Sequence, residues 1–145
     1  MFLGEFEHAV DDRGRIAIPA KFRPALADGM VVTKGIDRCL VIWPIDDWRT
    51  FTDDLRQMPL MAGDARRMQR FFLAGAADAT PDRLGRILIP SPLRLYAQLT
   101  DQAVVIGVGD RVEIWSTVNW EQERSSAEDQ SSELAEHLFT LGVSR

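Results

Sequence analysis

Apolar and polar residues alternate along this chain in short runs, the pattern typical of β-strands with one buried face. Residues 2–10 alternate loosely, with Phe6 and His8 on one side and Glu5 and Glu7 on the other. Two Ile-x-Ile segments and four runs rich in β-branched residues predict further strands, the four runs forming two hairpins. The predicted strands after the first cover residues 16–18, 30–33, 39–43, 87–89, 103–106 and 112–115.

Between the strands, apolar residues recur at the spacing of helices that bury one face. A short helix is expected after Pro19, running to about Leu26, and three longer ones follow. The second of these covers about residues 64–74 and stops at Gly75, and the third ends at Gly142. The apolar positions that define the three are Ile45, Trp48, Leu55 and Met58, then Met68 and Phe72, then Leu134, Leu138 and Leu141.

One strand belongs to a motif that occurs twice, 71 positions apart. Residues 11–23 and 82–94 both read Asp-x-x-Gly-Arg-Ile-x-Ile-Pro-x-x-apolar-Arg. Trp43 and Trp48 match Trp115 and Trp120 at a spacing of 72, one residue longer than in the motif. Repetition at this length predicts a duplicated unit. Units of about 45 residues bury too little surface to be stable alone, so the two copies are expected to interlock in a pseudo-twofold barrel or sandwich.

Each position of the motif has a physical reading. The aspartates, Asp11 and Asp82, can accept hydrogen bonds from backbone N–H groups and close a turn. The glycines, Gly14 and Gly85, supply a positive φ. The proline ends the strand and is placed to open a short helix as its first residue. The motif therefore predicts a tight turn that presents an arginine at one end of a strand, built twice.

Composition places the chain among ordinary globular proteins, with 145 residues, 46% hydrophobic and 27% charged. Its length fits one compact domain or two small lobes that share a core. The net charge of −5 argues against attraction to nucleic acid over the whole surface, but residues 121–136 alone contribute −5. The remainder is close to neutral, and both motifs are locally basic, which is enough for DNA binding.

Catalysis has no support in the sequence. His8 and His137 have no metal-ligand spacing to another histidine or cysteine. The glycines form no phosphate loop, and the paired carboxylates at 46–47 and 53–54 fit helix positions. We expect no catalytic residue, no metal and no cofactor. Cys39, the single cysteine, is interpreted as a buried strand residue in a reducing cytoplasm. No secretory signal or membrane span is recognisable.

Two readings of the repeated arginines, Arg15 and Arg86, remain open. In the structural reading each arginine pairs with the aspartate of its own turn. In the functional reading, which we favour, the arginines bind DNA, since arginine is the commonest side chain to read guanine with a bidentate fork. Three further arginines, Arg66, Arg67 and Arg70, share one side of the second long helix and fit a solvated face better than a phosphate contact.

On these residues the chain resembles the MraZ family, whose two units are similar to AbrB-type swapped-hairpin transcription regulators. The resemblance rests on Met1-Phe2-Leu3-Gly4, the two motifs and the link between Gly63 and Gly75, and it reaches about Trp120. Leu84 departs from the pattern, in which a small or polar turn residue is expected. The implied fold is α+β: a duplicated AbrB-like swapped-hairpin β-barrel with flanking helices. The units would cover 5–47 and 76–119, with a helical link at 48–75 and a C-terminal helical tail at 120–145.

The resemblance also implies a function. It implies a sequence-specific transcription regulator of the cell-division and cell-wall gene cluster that binds short direct repeats in double-stranded DNA upstream of its operon. The protein would be cytoplasmic and nucleoid-associated, and would form a ring homo-oligomer, with an octamer favoured. The resemblance assigns DNA contact to Arg15 and Arg86. It assigns supporting DNA contacts to four neighbouring residues, Arg13, Lys21, Arg23 and Arg83. The alternative is an oligomeric scaffold that binds protein partners rather than DNA, with an enzyme of related topology a distant third.

Overall fold

The computed structural model describes residues 1–142, which form an α+β fold of eight strands and six helices within that range. The strands are β1 (Phe2–Ala9), β2 (Arg15–Ala17), β3 (Met30–Lys34), β4 (Leu40–Pro44), β5 (Ala77–Ala79), β6 (Arg86–Leu88), β7 (Gln102–Gly109) and β8 (Val112–Ser116). The helices are α1 (Arg23–Leu26), α2 (Ile45–Arg56), α3 (Gly63–Ala74), α4 (Ser91–Tyr96), α5 (Thr117–Asp129) and α6 (Ser131–Thr140).

Two antiparallel sheets organise the strands. The larger has six strands in the order β1-β7-β8-β4-β3-β5, and the smaller is a ribbon of β2 and β6. The hairpins predicted from the apolar runs are present as β3–β4 and β7–β8. They lie side by side, because β4 of the first unit pairs with β8 of the second.

The two units exchange their first strands. β1 pairs with β7 of the second unit along its whole length, from Phe2 opposite Gly109 to Ala9 opposite Gln102. In return, β5 pairs with β3 of the first unit. Both sheets therefore contain strands from both units, which confirms the expectation that the copies interlock. Each unit thus supplies an edge strand to the hairpin of the other.

The main core lies between the ribbon and one face of the larger sheet. Four isoleucines from the two motifs, Ile16, Ile18, Ile87 and Ile89, are almost completely buried. They pack with sheet residues such as Val32 and with Phe22 and Leu93, which follow the two motif strands. Each buried side chain of this size contributes roughly 1.5–3 kcal/mol relative to exposure. The Ile-x-Ile alternation that predicted these strands therefore also determines which side of the ribbon faces the core.

The helices follow the predicted order with local differences. α2 ends at Arg56, so Met58 lies beyond it and not on its apolar face as predicted. The prediction that the motif proline is the first helical residue is wrong in both copies. A 3₁₀ turn at Ala20–Phe22 begins one residue after Pro19, and α4 begins one residue after Pro90. No helix within residues 1–142 is long and apolar enough to cross a membrane.

Candidate nucleic-acid interface

The two motif turns have the same hydrogen-bonding pattern. Oδ1 of Asp11 accepts from the backbone N–H groups of Arg13 (3.0 Å) and Arg15 (2.8 Å). Oδ1 of Asp82 accepts from those of Leu84 (2.9 Å) and Arg86 (3.0 Å). In this way one carboxylate oxygen holds two N–H groups of its own turn, as predicted for both aspartates.

The turn glycines adopt the expected left-handed conformation. Gly14 has a φ of 85° and Gly85 a φ of 76°, and each donates its N–H to the carbonyl of the motif aspartate at 3.0 Å. Leu84, which departs from the motif pattern, leaves the turn unchanged because its side chain points outward and is 66% exposed. The turn shape therefore depends on the aspartate and the glycine, and not on the residue between them.

The ribbon places Arg15 and Arg86 on one outer surface. In the ladder, Arg15 lies opposite Leu88, Ile16 opposite Ile87 and Ala17 opposite Arg86. Because side chains alternate between faces of a strand, the buried Ile16–Ile87 pair directs both arginines to the opposite, outward side. The duplicated motif thus brings its two arginines onto one small face.

Each of these arginines is paired with the aspartate of its own turn. The Nε–Oδ2 distance is 2.7 Å between Arg15 and Asp11 and 2.9 Å between Arg86 and Asp82. Nη1 of Arg86 also lies 3.7 Å from Oδ2 of Asp11. No hydrogen bond within residues 1–142 engages the Nη atoms of either arginine, whose side chains are about one-third exposed. The aspartates therefore hold the stems of the guanidinium groups, and the outer ends remain able to bind a ligand.

Both turn aspartates have lowered pKa values. The pKa of Asp11 falls to about 2, mainly because the Arg15 backbone N–H donates to the carboxylate and secondly because the Arg15 side chain does. The pKa of Asp82 is lowered first by the Arg86 backbone N–H. Hydrogen bonds and a nearby positive charge favour the ionised carboxylate. At neutral pH each turn consequently holds a carboxylate–guanidinium pair.

A second pair of motif arginines, Arg23 and Arg94, connects the two units. The sequence analysis did not identify Arg94 as a candidate site residue. Nε of Arg23 donates to the carbonyl of Ile18 at 3.0 Å, and its guanidinium lies against Gly85 of the other unit. Nη1 of Arg94 donates to the carbonyl of Ile89 at 2.6 Å, and its guanidinium lies against Gly14. The signal that could have identified Arg94 is its equivalence to Arg23 in the repeated motif.

The remaining predicted contact residues surround the ribbon unevenly. Arg13 and Arg83 are exposed on the two turns. The Lys21 ammonium lies 5.1 Å from the ring centroid of Phe6 on β1 and 5.9 Å from that of Phe22, in cation–π range of both. It is thus anchored to the aromatic rings beside β1 and not to the turn. The three arginines of α3 are exposed on a helix that packs on β3.

Groups suited to other chemistry are held in unreactive states. Burial raises the pKa of the Cys39 thiol to about 12, so it is protonated at neutral pH. Burial, with Arg23 nearby, lowers the pKa of His8, whose Nε2 is buried without a hydrogen-bond partner among the described residues. Within residues 1–142 no three His, Cys, Asp or Glu side chains are grouped as metal ligands would be.

Comparison with known proteins shows a relationship over nearly the whole chain. A sequence model of the family described as "MraZ protein, putative antitoxin-like" matches residues 1–71 and again 72–141. The chain is 45% identical over 143 residues to "Transcriptional regulator MraZ" of Natranaerobius thermophilus, covering 99% of this chain and 100% of that protein. It is 46% identical, with the same coverage, to the protein of that name from Caldanaerobacter subterraneus subsp. tengcongensis. Each family match contains one copy of the motif.

Proposed function

The chain belongs to the MraZ family, and from that premise we propose that it is a sequence-specific DNA-binding transcription regulator. The observation that carries the proposal is the ribbon, on which Arg15 and Arg86 share one outer face and, within residues 1–142, make no hydrogen bond through their Nη atoms. Relatives along the full length are named transcriptional regulators, which supports the regulatory part. No catalytic role is proposed.

Within this proposal the arginines have separate roles. Arg15 and Arg86 read base edges in a groove, where a bidentate guanidinium matches guanine O6 and N7. Arg13, Arg83, Lys21 and Arg23 flank them and contact phosphates, which position the protein without specifying sequence. Asp11, Gly14, Asp82 and Gly85 shape the turns. Support for this division comes from the fixed stems of the two ribbon arginines and from the exposure of Arg13 and Arg83.

We assign the finer fold to a duplicated AbrB-like swapped-hairpin β-barrel with flanking helices. Its support is the exchange in which β1 pairs with β7 and β5 with β3. The proposed units are 5–47 and 76–119, with a helical link at 48–75 and a helical tail at 120–145. The boundary between the two family matches, at residues 71 and 72, falls inside α3 and so within the proposed link.

The proposed target is a set of short direct repeats upstream of the protein's own operon, in the cell-division and cell-wall gene cluster. The proposed assembly is a ring homo-oligomer, with an octamer as the favoured form. We propose that it acts in the cytoplasm, associated with the nucleoid. One ribbon supplies only two base-reading arginines to a chain of net charge −5. Several ribbons on one ring could occupy several repeats, and multivalent attachment raises affinity without new contacts.

A protein scaffold remains the second candidate because α6 carries apolar residues on its surface. Leu138 is 48% exposed and Phe139 is 82% exposed. An apolar helix face of this kind can dock another protein. In that case the ribbon arginines would hold subunits together instead of binding DNA. The two candidates differ in how binding responds to salt.

The test is fluorescence anisotropy with labelled duplex DNA taken from upstream of the protein's own gene. Phosphate binding releases counterions, so the proposed regulator should lose affinity steeply between about 50 and 200 mM salt. A duplex of the same composition with scrambled sequence should bind more weakly at every salt concentration. A scaffold would bind both duplexes equally poorly, and its self-association would change little with salt.

A further inference from the structure

The two motif turns contact each other reciprocally across the unit boundary. The N–H of Ile18 donates to the carbonyl of Gly85, and the N–H of Ile89 donates to the carbonyl of Gly14, both at 2.9 Å. Each turn glycine is therefore bonded to the strand end of the opposite unit. Since Arg15 and Arg86 follow these glycines directly, their relative position depends on this junction.

Arg94 reinforces the junction on the side of the first turn. Its Nη1 donates to the carbonyl of Ile89 in its own unit (2.6 Å) and to that of Arg13 in the other (3.2 Å). Its guanidinium also occupies the space that a Cβ on Gly14 would need. One charged group thus bridges two carbonyls of different units, and hydrogen bonds from charged donors are stronger than neutral ones.

Arg23 has the corresponding place on the second turn. Its Nε donates to the carbonyl of Ile18, and a Cβ on Gly85 would overlap its guanidinium. The correspondence is not complete, because only Arg94 also donates to a carbonyl of the opposite turn in residues 1–142. Arg94 is half-buried, whereas Arg23 is exposed.

We propose that Arg94 is a positioning residue that sets the turn carrying Arg15, and that Arg23 does the same for the turn carrying Arg86. This inference rests on the proposed DNA-binding function and adds residues that act through the reading arginines. The phosphate contact proposed for Arg23 uses its terminal nitrogens, because its Nε donates to the carbonyl of Ile18. For Arg94 no DNA contact is proposed, which makes it the cleaner test.

The first experiment measures the turns without DNA, by hydrogen–deuterium exchange on the intact protein. Arg94→Gln should speed exchange in peptides that contain the first turn and Ile89, and leave those with the second turn and Ile18 unchanged. Arg23→Gln should do the reverse. Arg49→Gln, which removes an exposed arginine from α2, is the charge-matched control. Uniformly faster exchange in Arg94→Gln would mean general loss of stability and would overturn the proposal.

The second experiment measures DNA affinity in a double-mutant cycle, because residues that act together are not additive. Arg94→Gln should weaken binding to the upstream duplex about tenfold, within the range for a lost bidentate base contact. The loss should persist on an Arg86→Lys background and shrink on an Arg15→Lys background. Arg94→Lys, which keeps the charge, should fold normally and recover only part of the affinity.

The possible outcomes separate this inference from the function on which it rests. Equal losses on both lysine backgrounds, or no loss from Arg94→Gln, would overturn the positioning role. If the unaltered protein failed to bind the duplex at low salt, the proposed function would fall. Turn-specific exchange in that case would leave Arg94 as a structural brace with no part in reading DNA.

Discussion

Gly14 and Gly109 share a left-handed backbone but differ in what surrounds them. Their φ values are 85° and 80°. A Cβ on Gly14 would overlap the Arg94 guanidinium, whereas a Cβ on Gly109 would meet no atom within 4 Å. The pair therefore separates the cost of the backbone angle from the cost of the contact between units.

We expect Gly109→Ala to lower the free energy of unfolding by about 1–2 kcal/mol, the cost of a left-handed alanine. Gly14→Ala should cost more, because Arg94 must also move from its carbonyl partners, and losing a charged hydrogen bond costs about 1.5–3 kcal/mol. Denaturant unfolding at one fixed protein concentration measures both. Equal losses would show that the contact with Arg94 is not important for stability.

The lowered pKa of Asp11 makes its turn sensitive to acid. A carboxyl group with a folded-state pKa below the unfolded value stabilises the fold above the unfolded pKa, near 4, and loses that effect as the pH falls toward about 2. In Asp11→Asn the melting temperature should accordingly be lower at neutral pH and fall less between pH 4 and 2. Melting curves at stepped pH check this, and parallel declines in both proteins would contradict it.

Among the elements, α3 is joined to the sheet by a buried hydrogen bond. Oγ1 of Thr33, a fully buried residue of β3, donates to the carbonyl of Phe72 at 2.6 Å. Phe72 also packs edge-on against Phe51 of α2, with ring centroids 5.0 Å apart. The hydrogen bond and the ring contact together connect α3 to both β3 and α2.

Thr33→Val should destabilise the protein by about 1–3 kcal/mol, because the Phe72 carbonyl loses its buried donor while the side-chain volume is kept. The control is Thr50→Val, in which an exposed threonine of α2 loses a bond to the carbonyl of Asp46. That change should stay within about 0.5 kcal/mol. Thermal unfolding that ranks the two variants in the opposite order would contradict the role of Thr33.

The elements also show what the sequence could and could not predict. Strong alternation and apolar runs were sufficient for the ribbon strands and both hairpins. β5 was missed because Ala77–Ala79 is three residues long, with two alanines and an aspartate of low strand propensity. Its strand conformation comes from pairing with β3, a tertiary contact.

At the candidate site, the roles of Asp11, Gly14 and their equivalents in the turns could be predicted, because they involve only residues close in sequence. The ion pairs of Arg15 and Arg86 were one of the two interpretations that the sequence left open. They are also local, because each joins residues four positions apart. The contact of Arg94 with Arg13 joins residues 81 positions apart. Only the folded arrangement of the two units brings those residues together.

For the whole molecule, exposed apolar groups on α6 favour assembly, because contact between chains would remove them from water. Light scattering at micromolar concentration should give a mass several times the 16.3 kDa of one chain, with an octamer the proposed form. Neighbouring chains are expected to pack partly through the helices of Trp48 and Phe72, α2 and α3. A monomeric mass at that concentration would contradict both the ring and the multivalent binding it supports.

The central claim, that Arg15 and Arg86 read DNA, is tested most directly by the affinity of their alanine variants for the upstream duplex. The double variant Arg15→Ala/Arg86→Ala should keep its fold and assembly but lose specific binding, at about 1–3 kcal/mol for each bidentate contact. The charge-matched control Arg49→Ala/Arg56→Ala removes two exposed arginines from α2 and should bind nearly as well as the unaltered protein. Unchanged affinity and salt dependence in the ribbon variant would contradict the claim, and loss of assembly in that variant would favour the scaffold.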